Sequence, residues 1–411
     1  MTFYLRQGVK FHDGSILNAD AVKWNFDLAI EAGKVPNWES VEVIDEYTIR
    51  ISLKEYQNTA LSGMGAGSLS IISPAAFEKN GLEWVRDNPV GTGPFRFVEH
   101  DRDARVYFEK FDEYWDEGKP YLAGIEFIVI ADATVRKLAF ERGDVHQYTA
   151  SGLDAQELSQ KGYEYISAVG GTMVLVPDTK NPGSPFADIR VRQAVSHAIN
   201  REALAAGLGF GFANPAYQLY PGFEISYIPD LDIHEYNPDK ARALLAEANY
   251  PDGFDTTIYG FTRVVPRDYI TAIAAMLDEV GIRTQPEFPE AGKYTELRYE
   301  GWSDALMGHG IANFDNINTC HTFYFLGRDL VSLDLPPAYV TAAEASVNSL
   351  EVDPALVKAS IKVIHDELMA IPYLEERVTT FMRDGAHNPG LLIAPQTQLW
   401  GHLLYLEPQA R

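Results

Sequence analysis

Helix-start signals recur along the chain with strand-length runs between them, and this alternation limits the fold more than any other feature. Asn237-Pro238 supplies an N-cap followed by proline at the first helical position, and Ala241, Leu244, Leu245 and Ala248 then recur at i, i+3, i+4 and i+7. Asp188 heads a second stretch, with Val191, Ala194, Val195, Ala198 and Ile199 on one face. Asp353-Pro354 heads a third, carrying Val357, Ile361, Ile364 and Leu368. Between them, residues 41–44, 47–53, 106–108, 125–130, 256–261 and 378–381 are β-branched or aromatic runs bounded by Gly, Pro, Asp or charged residues. A mixed α/β protein follows. Its 411 residues exceed what one core serves, so two or three lobes of about 100–200 residues each are expected.

Composition removes several function classes. Lys and Arg number 34 against 58 Asp and Glu, a net charge of −24 that repels phosphate backbones, so nucleic acid is not expected as a partner. No apolar run approaches the roughly 20 residues that cross a bilayer. Cys320 is the single cysteine, which excludes an internal disulfide. Cys320-His321 with His309 matches no zinc spacing, and no G-x-S-x-G nucleophile elbow occurs, so no metal, cofactor or catalytic group is expected. Ser62 to Ser73 reads as a Gly/Ser-rich surface loop, since it lacks the Lys-Ser/Thr of a phosphate cradle.

Six segments carry a resemblance: FYLRQGVKFHDGSILNADAVKWNF (3–26), NPVGTGPFRF (88–97), FDEYWDEGKPYLAGIEFIVI (111–130), ERGDVH (141–146), PFADIRVRQAVSHAINREAL (185–204) and NPDKARALLAEANYPDGF (237–254). In this order they resemble the extracellular solute-binding proteins of family 5, the peptide- and nickel-binding class that feeds ABC importers. The resemblance implies an α/β, two-lobed fold of the periplasmic-binding-protein (type II) kind with a third, small inserted domain. Residues 1–92 would be the small domain, 93–175 with 385–411 the first lobe, and 176–384 the second. It implies a monomeric, non-catalytic receptor, periplasmic or tethered outside the membrane, that delivers a small ligand to permease subunits. An enzyme or a sensor on the same scaffold is the alternative class. In that family the segment resembling residues 1–14 is internal, so the chain is expected to be incomplete at its N-terminus.

The same resemblance directs attention to Lys293 to Phe325, where peptide-binding members place an aspartate after a tryptophan to hold the ligand's amino terminus. Here the pattern falls on GHGIANFDN, leaving His309 or Gly310 at the tryptophan position and Ala312 or Asn313 at the aspartate position, with Asp315 beyond. An ammonium buried without a carboxylate costs several kcal/mol. A peptide is the first expectation for the ligand and an oligosaccharide the second, with Asn313 and His309 as hydrogen-bonding groups and Trp302 and Phe314 as stacking surfaces. The bland alternative makes Trp302 core and His309 a turn residue. Glu375 and Glu376 follow Pro372, and alternation turns at most one of them inward. Glu375 joins the candidates, against the alternative that both are solvated.

Overall fold

The computed structural model describes residues 1–64, 69–150, 152–312, 316–327, 329–390 and 403–406. Near the N-terminus, strands β1 (Thr2–Tyr4), β2 (Trp38–Asp45) and β3 (Thr48–Leu53) form an antiparallel sheet in the order β1-β3-β2. Helix Ala19–Glu31 lies against it. Asn18 caps that helix by accepting from the Ala21 amide, and its Ala19, Val22, Phe26 and Ala29 bury against Trp38, Ile49 and Ile51. Phe26 meets Trp38 edge-on at 5.1 Å.

A second antiparallel sheet, β4 (Phe95–Asp101), β5 (Arg105–Lys110) and β6 (Gly124–Ile128), follows. Edge-to-face rings tie it together, with Phe97 to Phe108 and Phe108 to Phe127 each at 6.0 Å. The Lys10–Glu113 ion pair and the Arg6 guanidinium, 4.0 Å above the Trp115 ring, join the first sheet's neighbourhood to the second's.

The largest sheet has seven strands. Its path is β11 (Ile282–Glu287), β10 (Phe254–Gly260), β12 (Ala305–Ala312), β8 (Glu164–Pro177), β13 (Ile371–Met382) and β7 (Gln147–Ala150), with β9 (Ala213–Pro215) also on β13. β10 pairs parallel with β11 and β12, and the remaining pairs are antiparallel. Helices expected from the sequence cover it: Ile189–Ala198, Pro238–Glu247 and Pro354–Asp366, with Asp188, Asn237 and Asp353 accepting the amides of Arg190, Lys240 and Ala355.

Alternation along β8 feeds two cores. Met173 and Leu175 enter a cluster with Ile258, Ile270, Leu306 and Leu374, while Val174 and Val176 enter another with Trp302, Met307, Ile311 and Ile361. Each such fully buried aliphatic contributes about 1.5–3 kcal/mol. At the other end of β13, Phe381 joins a separate cluster with Phe140, Tyr148, Ala155 and Leu158. One strand therefore serves cores about 20 Å apart at the rise of an extended chain.

Between these cores the β8–β13 register slips: Gly171 pairs with Glu376, and the next pair is Val169 with Arg377. This is a β-bulge around Gly170. A Cβ on Gly170 would lie 2.6 Å from Val378 Cγ2, and one on Gly171 would lie 2.6 Å from the Ile311 carbonyl oxygen. The second obstacle is backbone and cannot swing aside. We expect Gly171→Ala to lower unfolding free energy by about 1–3 kcal/mol in urea titration, and an unchanged midpoint would show that the strands do not pack this closely.

Candidate functional site

The row of residues across the sheet at the bulge runs Ala312, Gly171, Glu376, Ala213, and the next row is Ile311, Thr172, Glu375, Asn214. Polar groups in the inner row hold the 216–228 connection onto the sheet. Thr172 Oγ1 accepts the Tyr220 amide at 3.1 Å, Glu375 Oε1 accepts the Gly222 amide at 3.0 Å, and the Tyr220 hydroxyl donates to the Ala312 carbonyl at 3.2 Å. A Cβ at Gly222 would stand 2.8 Å from Glu375 Oε1, so this contact requires glycine.

Glu375, a candidate from sequence, is thus a buried brace whose carboxylate holds backbone. Glu376 points the other way and is half-buried, its carboxyl pushed up to about 7 by loss of water around it. The reading of both glutamates as solvated is corrected at Glu375, which is buried, while Glu376 is half-buried on the opposite face. Close to Glu376 are Tyr269, from helix Arg267–Asp278, and Tyr373, whose phenols are held above their ordinary range by burial and by the Glu376 charge. The Tyr373 hydroxyl is buried without a hydrogen-bond partner. Arg377 turns away, donating from Nε to Ser167 Oγ at 3.0 Å and from Nη2 to the Ser167 carbonyl at 2.9 Å.

Of the other expected site residues, Asn313, Phe314 and Asp315 lie outside the described residues. Both flanks of that segment are held. Ala312 donates its amide to the Tyr324 hydroxyl at 3.2 Å, and Asn316 Nδ2 donates to the Asn58 carbonyl at 2.8 Å. Trp302 and His309 are both packed in the second core, at 4% and 3% exposure. His309 Nδ1 shares a 2.6 Å hydrogen bond with the Tyr294 hydroxyl, and burial, assisted by the Arg298 charge, lowers the imidazole to about 3. It is neutral at physiological pH. Trp302 Nε1 and His309 Nε2 are buried without partners. His321, adjacent to Cys320, is engaged at both nitrogens by Tyr339 and Ser360, each at 2.8 Å. Among the described residues no group of three or more His, Cys, Asp or Glu is placed to hold a metal ion.

Asn58 was not singled out from sequence, yet it concentrates the contacts between the N-terminal unit and the large sheet's helices. Its Nδ2 donates to the Ser346 carbonyl at 2.8 Å, its amide donates to the Val347 carbonyl at 2.8 Å, and its Oδ1 accepts from Asn318 Nδ2 at 3.2 Å. Tyr56 donates to the Leu350 carbonyl at 2.9 Å beside it.

A cavity of about 570 Å³ lies elsewhere, lined by Phe127, Glu126, His146, Met382 and Asn388 among others. Its walls include neither the bulge nor any residue of the second core, so an occupant would not touch both ends of β13.

β13 thus carries residues of two separate cores with a bulge between them. The sequence profile described as bacterial extracellular solute-binding proteins, family 5 middle, matches residues 1–329. The chain belongs to this family. The glutathione-binding protein GsiB of Salmonella typhi is 32% identical over 431 residues, covering 96% of this chain and 81% of that protein. That of Pectobacterium atrosepticum is 31% identical over 325 residues, covering 74% of this chain and 63% of the relative. Among solved structures, the binding protein AgaA from A. tumefacien R10 in complex with agropinic acid has a TM-score of 0.87 at 21% identity, covering 100% of this chain and 87% of its own. DppA from Helicobacter pylori, in complex with the peptide STSA, has a TM-score of 0.82 at 22% identity, covering 99% and 86%. The fold is therefore the two-lobed α/β fold of periplasmic binding proteins, and the family consists of extracytoplasmic binding proteins.

In this family 5 protein, the folded state holds the Glu376 proton more tightly than an unfolded chain, whose carboxyl keeps the ordinary 4.5. Stability from this group is present below that value and is lost as pH rises through about 7. We expect Glu376→Gln to raise unfolding free energy by up to about 3 kcal/mol at pH 8 and to change it little at pH 5. Equal effects at the two pH values, in parallel denaturant titrations, would contradict a carboxyl raised by desolvation.

Proposed function

We propose that this protein is a monomeric receptor of an ABC import system. It closes its lobes on a small peptide-like ligand beside the row Ala312, Gly171 and Glu376, and it presents the closed form to the permease without catalysis. The observation that carries this reading is the register slip at Gly170–Gly171, opposite the part of β13 that lies between its two cores. It favours a division in which the small domain ends near residue 92, the first lobe includes β7 and the outer halves of β8 and β13, and the crossings fall at 169–171 and 376–377. The receptor would work outside the cytoplasmic membrane, free or tethered. The glutathione and peptide named for its relatives support a peptide-like ligand.

Closure follows from linkage. A ligand that touches both lobes gains contacts only when they meet, so its differential affinity shifts the population toward the closed form. Calorimetry with glutathione, Met-Leu, a tetrapeptide and agropinic acid, paired with solution scattering, tests the reading. We expect at least one probe to bind and to reduce the radius of gyration; binding of none, or binding with unchanged dimensions, overturns it.

The Asn58 contacts belong to the closed arrangement on this reading. Each net hydrogen bond is worth about 0.5–1.5 kcal/mol. Asn58→Ala is expected to weaken the binding probe by roughly fivefold to thirtyfold, mainly through faster release, and stopped-flow dissociation measures it. Unaltered release would remove this clasp from closure.

A further inference from the structure

Three imidazoles from separate parts of the chain are stacked. His234, on the 229–237 segment, lies between His197 of helix Ile189–Ala198, with ring centroids 5.0 Å apart, and His365 of helix Pro354–Asp366, 5.5 Å away and nearly parallel at 11°. The two outer rings are buried and hold the segment by its backbone: His197 Nδ1 donates to the Glu235 carbonyl at 2.7 Å and His365 Nε2 to the Asp232 carbonyl at 2.9 Å. A carbonyl only accepts, so each of these nitrogens carries the proton of its neutral ring. His365 Nδ1 is then a bare lone pair, buried without a partner among the described residues. Arg201, fully buried, donates to the His234 carbonyl at 3.3 Å and to the Pro372 carbonyl at 2.8 Å, which joins the segment to the start of β13.

We propose that this stack is an acid-released latch: the 229–237 segment stays seated while the three rings are neutral and leaves its seat as they take up protons. A further proton on His365 would place a buried N–H at Nδ1 with no acceptor, and a charge on one ring would face its stacked neighbour with the Arg201 guanidinium close by. The surrounding charges do not offset this. Lys240 and Arg201 add positive charge at His197, and the exposed Asp232 is the acid that favours protonation of His197 and His234. Asp366 and Glu367, next to His365 in the chain, pair with Lys362 and Arg192, while Glu202 and Glu235 face Tyr217. Burial, the two neighbouring rings and Arg201 hold His234 at about 4, below the ordinary 6.5 that it regains once the segment opens. The latch is therefore at full strength above 6.5 and weakens as pH falls toward 4; for this one ring, opening becomes roughly thirtyfold more frequent at pH 5 than at pH 7.5.

Hydrogen exchange of the full chain tests the latch, because the Asn237 amide donates to the His197 carbonyl at 2.8 Å and is protected only while the segment is seated. Protection factors divide out the pH dependence of intrinsic exchange. Between about pH 7.5 and pH 5, the factor at Asn237 is expected to fall at least about tenfold in wild type, and that of helix Ala19–Glu31 by less than about twofold. His234→Phe keeps an aromatic ring in the stack and removes its proton site, and should limit the fall at Asn237 to within about threefold. An equal fall in helix Ala19–Glu31, which marks general loosening by acid, overturns the proposal, as does no fall in wild type or the same fall in His234→Phe. If His234→Phe does not fold, His365→Gln, which can still donate to the Asp232 carbonyl and takes up no proton, replaces it under the same criteria.

Discussion

The structure depends on one pairing: β8 and β13 run antiparallel from Glu164 against Met382 to Leu175 against Ile371, and no other pair of strands serves all three of the large sheet's cores. Every connection between the two ends of the sheet must respect that ladder. Its weak point is local. Around Gly170 the ladder loses one residue of register, and side chains larger than hydrogen collide with Val378 and with the Ile311 carbonyl. A bulge adds twist and bending at one place while leaving the flanking ladders intact.

Polar groups near the bulge are handled in two ways. Thr172, Glu375 and Tyr220 satisfy backbone amides and a carbonyl across the 216–228 connection, and deeper in the same lobe Arg201 is fully buried, donating to the carbonyls of Ala216 and Pro372 at 3.0 and 2.8 Å. These groups are spent on the fold. The Tyr373 hydroxyl is not: it is buried without a hydrogen-bond partner among the described residues. Leaving a buried polar group unmatched costs about 1–3 kcal/mol.

Local signals were legible in the sequence and distant ones were not. The caps at Asp188, Asn237 and Asp353 act within three residues, and the structure has each of them in place with the expected face buried. β8 escaped the strand reading because its centre is Gly170-Gly171, a pair that interrupts the β-branched pattern on which strand assignment rests. Helix Pro354–Asp366 ends before Leu368, which takes a positive φ of 44° instead of the helical place its spacing suggested. Alternation rightly separated Glu375 from Glu376 but did not reveal that Gly222 and its connection cover the Glu375 face, since Gly222 is far away in sequence. Asn58 carries no pattern at all. Its partners, Asn316, Asn318 and Ser346, are met only after the chain has folded.

On the reading proposed above, in which the Asn58 contacts form as the lobes close, their polarity bears on closure. Its bonds join amides to carbonyls, groups that water serves almost as well when the contact is parted, so forming the clasp changes free energy by only a small net amount per bond. An apolar contact of similar extent would favour the closed arrangement by about 25 cal/mol for every Å² removed from water, whether or not a ligand were present. A receptor biased in that way would present its closed form to the permease while empty. A clasp of near-balanced hydrogen bonds instead fixes the geometry of closure and leaves its free energy to be decided by what occupies the gap.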